Sequence, residues 1–80
     1  MDHFVRIKNA IEELYQTNPK IHISVDIPRS KIIEPGTKAV ITGIYKNIFQ
    51  IETYDKGHPV RHTFQYSDVL VGHVVIEELH

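Results

Sequence analysis

Residues 39–70 decide the fold: Ala39-Val40-Ile41-Thr42-Gly43-Ile44-Tyr45, then Ile48-Phe49-Gln50-Ile51-Glu52-Thr53-Tyr54, then Val60-Arg61-His62-Thr63-Phe64-Gln65, closing on Tyr66-Ser67-Asp68-Val69-Leu70. The first three runs are rich in β-branched and aromatic residues, a composition that suits a pleated, half-buried surface. Lys46-Asn47 separates the first two as a two-residue hairpin loop, with Asn47 tolerating the positive φ such a loop needs. Asp55-Lys56-Gly57-His58 is the next turn, and Gly57 is free to take a left-handed conformation. Alternation sets Phe49, Ile51 and Thr53 on one face against Gln50 and Glu52, and Val60, His62 and Phe64 against Arg61, Thr63 and Gln65. The result is an antiparallel meander. Gly43, inside a strand, marks a bulge, a bend or a close approach, and a strongly bent strand is what a small closed barrel needs. Tyr66-Ser67-Asp68 carries side chains that bond locally and predicts one tight helical turn, in which Asp68 and Ser67 both accept backbone N–H groups. Residues 69–79 supply a last strand, interrupted at Gly72.

Upstream, Phe4, Ile7, Ile11 and Leu14 recur at spacings of three and four, one stripe of an amphipathic helix that Val5, Ala10 and Tyr15 widen. Asp2 caps its start, and Pro19 ends it near Gln16 by disfavouring helical geometry at Asn18. The stripe predicts a helix packed over one open end of the barrel. Ile21, Ile23, Val25 and Ile27 then alternate strictly with His22, Ser24 and Asp26, a strand with one buried face that Pro28 terminates. From Arg29 through the Pro35-Gly36 turn the chain reads as its longest irregular loop, the kind of segment that more often carries function than the strands beside it. The expected architecture is mainly β, of the α+β class: a helix over residues 3–16 and a five-stranded antiparallel barrel over residues 20–79, within one domain.

An 80-residue chain buries only ~60–65% of its unfolded surface, so the core is thin. Net stability on the order of 4–12 kcal/mol follows. With no cysteine there is neither a disulfide framework nor a thiolate zinc site. No apolar run approaches ~20 residues, so no membrane partner is expected. A formal charge of −1 gives the whole molecule no strong pull on nucleic acid, and any such binding needs a local patch.

Six histidines raise the question of a metal. His58 and His62 are separated by ~13 Å on an extended chain, too far to share one ion. His62 and His73 form a pair only if their strands are neighbours, and they lack a third ligand beyond a loose candidate in Asp68. A partly buried His62 tethered by one hydrogen bond is the expected outcome, with no metal and no cofactor. Ser67 and Asp68 lack the glycine pattern of a nucleophile elbow, and no phosphate loop is present, so no catalysis is expected. The remaining chemistry is binding. Lys20, Arg29, Lys31 and Lys38 gather in sequence around the first loop, and Tyr45 and Tyr54 lie near strand ends, where small β-barrels carry stacking residues for single strands.

Four segments in order resemble the Veg family of small proteins from Gram-positive bacteria, named for biofilm-formation stimulation: Ile7-Lys8-Asn9-Ala10-Ile11-Glu12, Arg29-Ser30-Lys31-Ile32-Ile33-Glu34, Gly43-Ile44-Tyr45-Lys46-Asn47-Ile48-Phe49-Gln50-Ile51, and Phe64-Gln65-Tyr66-Ser67-Asp68-Val69-Leu70. The Gly-x-Tyr-x-x-x-Phe hairpin and the Tyr-Ser-Asp-Val-Leu turn are the sharpest of these. The resemblance implies a barrel of the Sm-like or Src-homology type with an N-terminal helix. It further implies a non-enzymatic, cytoplasmic role, promoting extracellular-matrix gene expression by opposing a transcriptional repressor. A protein partner is therefore expected, with nucleic acid as the alternative and a homodimer open through an exposed barrel edge. The family carries a denser basic run where this chain has only Arg29 and Lys31, and this chain has extra residues around Pro35-Gly36-Thr37-Lys38.

Overall fold

The computed structural model describes residues 3–79, so the cap expected of Asp2 lies outside the described residues. Helix α1 (His3–Thr17) is followed by strands β1 (Lys20–Ile27), β2 (Lys31–Ile44), β3 (Ile48–Asp55) and β4 (His58–Gln65), a short helix α2 (Tyr66–Leu70) and strand β5 (Val74–Ile76). The strands form one antiparallel sheet in the order β4-β3-β2-β1-β5. An N-terminal helix leading into a five-stranded antiparallel sheet is the expected architecture. The expected barrel closure is absent: β4 and β5 are the two edges of the sheet. Helix α2 reverses the chain directly after β4, and β5 is only three residues long, so neither edge offers the other a continuous partner.

The segment read as a long irregular loop is instead the first half of β2. Asp26 pairs with Ile32 and Ile27 with Lys31, leaving only residues 28–30 as the turn, with Arg29 at φ 60°. Polar and apolar residues are mixed there because the strand is largely exposed, which hides its periodicity. Between Ile23–Thr37 and Val25–Ile33 the register shifts, so Glu34, Pro35 and Gly36 oppose Ser24 alone. Gly36 takes φ 79°, and Pro35 sits where no ladder bond is asked of it. Residues 34–36 are thus a bulge. A second shift between Ile41 and Gly43 is the bulge anticipated at Gly43.

Together the bulges bend β2 sharply. His62 pairs through Ile51 with Ile41 in the flat register, ten positions from Lys31, about 33 Å along a straight strand. Yet Lys31 Nζ lies 2.9 Å from His62 Nδ1. Only a strongly coiled sheet brings those corners together.

The connection after β2 differs from a two-residue loop. Residues 45–47 form it, closed by a hydrogen bond from Tyr45 N–H to the Ile48 carbonyl at 3.0 Å, and Asn47 does not adopt positive φ. The β3–β4 turn does use left-handed positions, Lys56 at φ 52° and Gly57 at φ 83°, the pair a two-residue hairpin demands. The last strand is shorter than residues 69–79. Val69 and Leu70 belong to α2, Gly72 turns at φ 84°, and pairing with β1 begins at Val74.

The core lies on the concave face of the sheet: Ile21, Ile23 and Val25 from β1, Ala39 and Ile41 from β2, Phe49 and Ile51 from β3, Phe64, Tyr66, and Val74 and Ile76 from β5. From α1, Ile11 is fully buried and Phe4, Ile7 and Leu14 pack against the cluster, whereas Val5 and Tyr15 are exposed, so the apolar stripe is narrower than its pattern suggested. The helix closes at Thr17, where Asn18 N–H bonds the Leu14 carbonyl at 2.8 Å. Tyr66 has no exposed surface. Its ring stacks on Phe49 (centroids 5.5 Å, 26°) and receives Phe4 edge-on (5.6 Å, 84°). Its hydroxyl donates to the Tyr45 carbonyl at 2.7 Å. Burial pushes that hydroxyl above the usual phenol range, while the bond to Tyr45 and the nearby Glu12 carboxylate act in opposite, smaller senses. Two substitutions separate ring from hydroxyl. Tyr66→Ala is expected to destabilise by about 3–5 kcal/mol, enough to unfold much of a domain this thin, and Tyr66→Phe by about 1 kcal/mol. Urea denaturation checks both, and a Phe variant as damaged as the Ala variant would shift the weight from packing to the hydroxyl.

Candidate functional site

The six candidate binding residues fall in three places. Lys20, Lys38 and Tyr54 line one groove of about 490 Å³ with His22 and Val40, over the point where Ile21 and Ala39 turn inward to the core. The β1–β2 register produces it: Lys20 pairs with Val40 and His22 with Lys38, so strand alternation turns all four to the same outer face. Tyr54, at the end of β3 and 62% exposed, stands over this face from the next strand. Among the described residues neither lysine has a carboxylate within ion-pair distance. His22 does: its Nδ1 is 2.8 Å from Glu78 Oε2, and its backbone N–H donates to Glu78 Oε1 at 2.9 Å, tying the chain's end to β1. His22, Val40 and Glu78 were not singled out in the sequence, because the register that joins them hangs on the bulge at residues 34–36.

Arg29 and Lys31 do not join this groove. Arg29 occupies the tip of the β1–β2 hairpin. Lys31 reaches across to β4, where Nζ donates to His62 Nδ1 at 2.9 Å and lies 5.7 Å above the Phe64 ring. Tyr45 is a third location. Its ring folds back over Gly43, where an added Cβ would lie 2.8 Å from it, and its carbonyl holds Tyr66. Tyr45 is nonetheless 51% exposed.

His62 has two tethers rather than one. An ammonium can only donate, so Nδ1 accepts from Lys31, Nε2 carries the proton, and Nε2–H donates to Thr53 Oγ1 at 3.1 Å. The imidazole stacks on Phe64 at 12°. Burial, and secondly the Lys31 charge, hold it below its ordinary value of 6.5. His62 and His73 are not neighbours, because β4 and the residues before β5 lie at opposite edges. Among the described residues no three His, Asp or Glu side chains are grouped to hold an ion. In α2, Asp68 Oδ2 accepts the Gln65 N–H at 3.1 Å as expected, but Ser67 Oγ donates to Gln65 Oε1 instead of accepting from backbone.

The family model described as Biofilm formation stimulator VEG matches residues 2–77 of the 80-residue chain. The chain belongs to the Veg family. That match covers the helix, all five strands and the groove lined by Lys20, Lys38 and Tyr54, so the geometry above is that of a member of a family of biofilm-formation stimulators. No curated protein matches the chain. Among the described residues of this Veg-family chain no helix is long and apolar enough to cross a membrane.

The His62 tethers give a pH dependence with a definite sign. Because the folded value is lowered, the unfolded chain takes up the proton more readily below 6.5, so stability rises with pH through the window just beneath 6.5 and levels off above it. Wild type should lose stability between about pH 7.5 and 5.5, and His62→Asn should flatten that part of the loss. Urea midpoints of both proteins at the two pH values check it; equal slopes would remove His62 as the source.

Proposed function

We propose that this Veg-family chain is a non-enzymatic regulatory module that stimulates biofilm formation by binding a protein, a transcriptional repressor of matrix genes whose action it opposes. The observation that carries this reading is the outer-face groove. Two ammonium groups, without carboxylate partners among the described residues, border the half-buried Val40, and the exposed Tyr54 ring stands beside them. Interfaces concentrate their energy in such arrangements, where an aromatic anchor and a desolvated floor supply affinity and charges at the rim set specificity. The complementary surface is an apolar residue bordered by acidic ones.

Nucleic acid is the second reading, favoured by Lys20 and Lys38 lying on the same outer face as the exposed Tyr54, an arrangement that suits a stacked base beside phosphates. Its magnitude argues against it. Two lysines neutralise about two phosphates, so log K for a single strand would fall by only about 1.4 per decade of salt, a small electrostatic contribution on a chain of net charge −1. Lys20→Glu with Lys38→Glu is the clean test, because both side chains are exposed and uninvolved in the core, unlike Lys31. The double variant should remain folded and lose at least about tenfold of its capture of a transcriptional regulator from native extract. Unchanged capture would dismiss this surface. Capture that disappears after nuclease treatment, with a salt slope near that predicted, would replace the protein reading by the nucleic-acid one.

A further inference from the structure

The gap where the sheet fails to close is a groove of about 430 Å³. Ile27, Ser30 and Lys31 at the β1–β2 tip form one wall and Thr63, Phe64 and Gln65 of β4 the other. Register decides which backbone groups face it. The two-residue turn closes on the Asp55–His58 pair, so hydrogen-bonded pairs recur at Thr53–Val60, Ile51–His62 and Phe49–Phe64. The amides of Arg61, Thr63 and Gln65 therefore point away from β3. Two features agree. Pro59, which has no N–H to offer, falls in this outward set, and the Gln65 N–H is bonded to Asp68 rather than to β3. Arg61 and Thr63 remain, with outward N–H and C=O groups on an edge that no strand covers.

We propose that this seam is a docking site for an extended peptide segment of a protein partner, which enters as an added strand along β4 and alternates apolar with acidic side chains. The outward amides require an extended backbone in register, because strand addition is what pairs such groups. Alternation then turns every second side chain toward the apolar floor of Phe64 and Ile27 and the rest to the outer face, where Arg61 is exposed. Charge favours acid at those positions. Arg29 stands at the tip, and Lys31 is bonded to a neutral ring nitrogen, with no carboxylate within ion-pair distance of either among the described residues. Two of the nearby anions are engaged: Asp68 holds the Gln65 N–H, and Glu52 lies 3.6 Å from Arg61. A second copy of this chain fits poorly, because Lys31 of the hairpin tip lies 2.9 Å from His62 of β4 and crowds the edge along which another whole sheet would have to pair. This site is separate from the Lys20–Lys38 groove and does not depend on what binds there.

Blocked nine-residue peptides alternating valine or phenylalanine with glutamate, and matched sets carrying glutamine or lysine instead, can be titrated into the isotope-labelled full chain. The glutamate set should shift the Arg61 and Thr63 amide resonances, slow their hydrogen exchange, and bind at least about tenfold tighter than the lysine set. Thr63→Pro removes only an outward N–H, as Pro59 already lacks one, and should weaken binding at least about tenfold with the fold intact. Where proline perturbs the strand, glutamate peptides methylated on alternate backbone nitrogens test the same bond on the unaltered protein and should not bind. The proposal is overturned by binding that survives methylation, by equal binding of the lysine set, by shifts at Lys20 and Lys38 instead of β4, or by no binding at millimolar peptide. Protection of the Arg61 and Thr63 amides that grows with protein concentration alone would also overturn it, in favour of a second copy.

Discussion

Burying a phenol on α2 obliges the chain to bring an acceptor to it, and much of the fold follows from how Tyr66 meets that demand. An unsatisfied hydroxyl at a site with no solvent exposure would cost a few kcal/mol, a large share of what an 80-residue chain has to spare. The acceptor is the Tyr45 carbonyl, twenty-one residues away in sequence. It is in position because the β2–β3 connection spans three residues instead of two and because the Asn47 carbonyl takes the Tyr66 N–H at 3.4 Å. One residue thereby fixes the hairpin loop to α2. Its ring then sets the docking of α1 through Phe4, with Lys8 Nζ 5.9 Å above it, and continues through Phe49 to Phe64. Helix, hairpin and edge strand are coupled through this one aromatic column.

The second constraint is the bend of β2. A straight fourteen-residue strand would hold the β1–β2 tip far from β4, and neither groove would exist in its present form. The bulge at residues 34–36 shifts the β1–β2 register so that Lys38 falls opposite His22 and beside Lys20, which builds the outer-face groove. The bulge at residues 41–43 turns the rest of the strand and brings Lys31 to His62. Gly43 serves that bend and leaves room for the Tyr45 ring. Pro35 and Gly36 lie at the first of these bends, so that bulge shapes the outer face while the core residues stay in place.

What the sequence revealed depended on whether one face of an element was buried. Strict alternation in Ile21-His22-Ile23-Ser24-Val25 and the spacing of Phe4, Ile7, Ile11 and Leu14 were readable because burial imposes a period. Residues 31–38 carry no strand signal in the sequence because that half of β2 is mostly exposed and has no period to show, and Pro35-Gly36 looks the same in a bulge as in a turn. Closure was overestimated because bend and closure share their local signals; the difference lies in whether two distant edges pair. Of the candidate residues, Lys20, Lys38 and Tyr54 were found on one surface, but nearness in sequence gave no warning that Arg29 and Lys31 belong to another. Tyr45 carries a second role that no sequence signal announces. Exposure and aromaticity suit a stacking residue, while its structural duty rests on a backbone carbonyl and a glycine two positions earlier.

These constraints divide the molecule into a firm part and a soft one. Around Tyr66 and Phe49, truncating a ring costs about 3–5 kcal/mol, comparable with the whole margin of stability. Across the seam the link between the hairpin tip and β4 is one ammonium donating to a neutral imidazole, partly exposed, a contact of about 1 kcal/mol. Local opening follows the cheaper route, so the tip can separate from β4 while the aromatic column stays packed. The same Lys31 that holds the seam is the cation best placed to leave it for a stronger acceptor, since a carboxylate outbids a neutral nitrogen for an ammonium proton. An edge strand is ordinarily a hazard that invites indiscriminate pairing. Here Pro59 at one end and Asp68 at the other leave two outward amides between them, a short edge beside the hairpin tip.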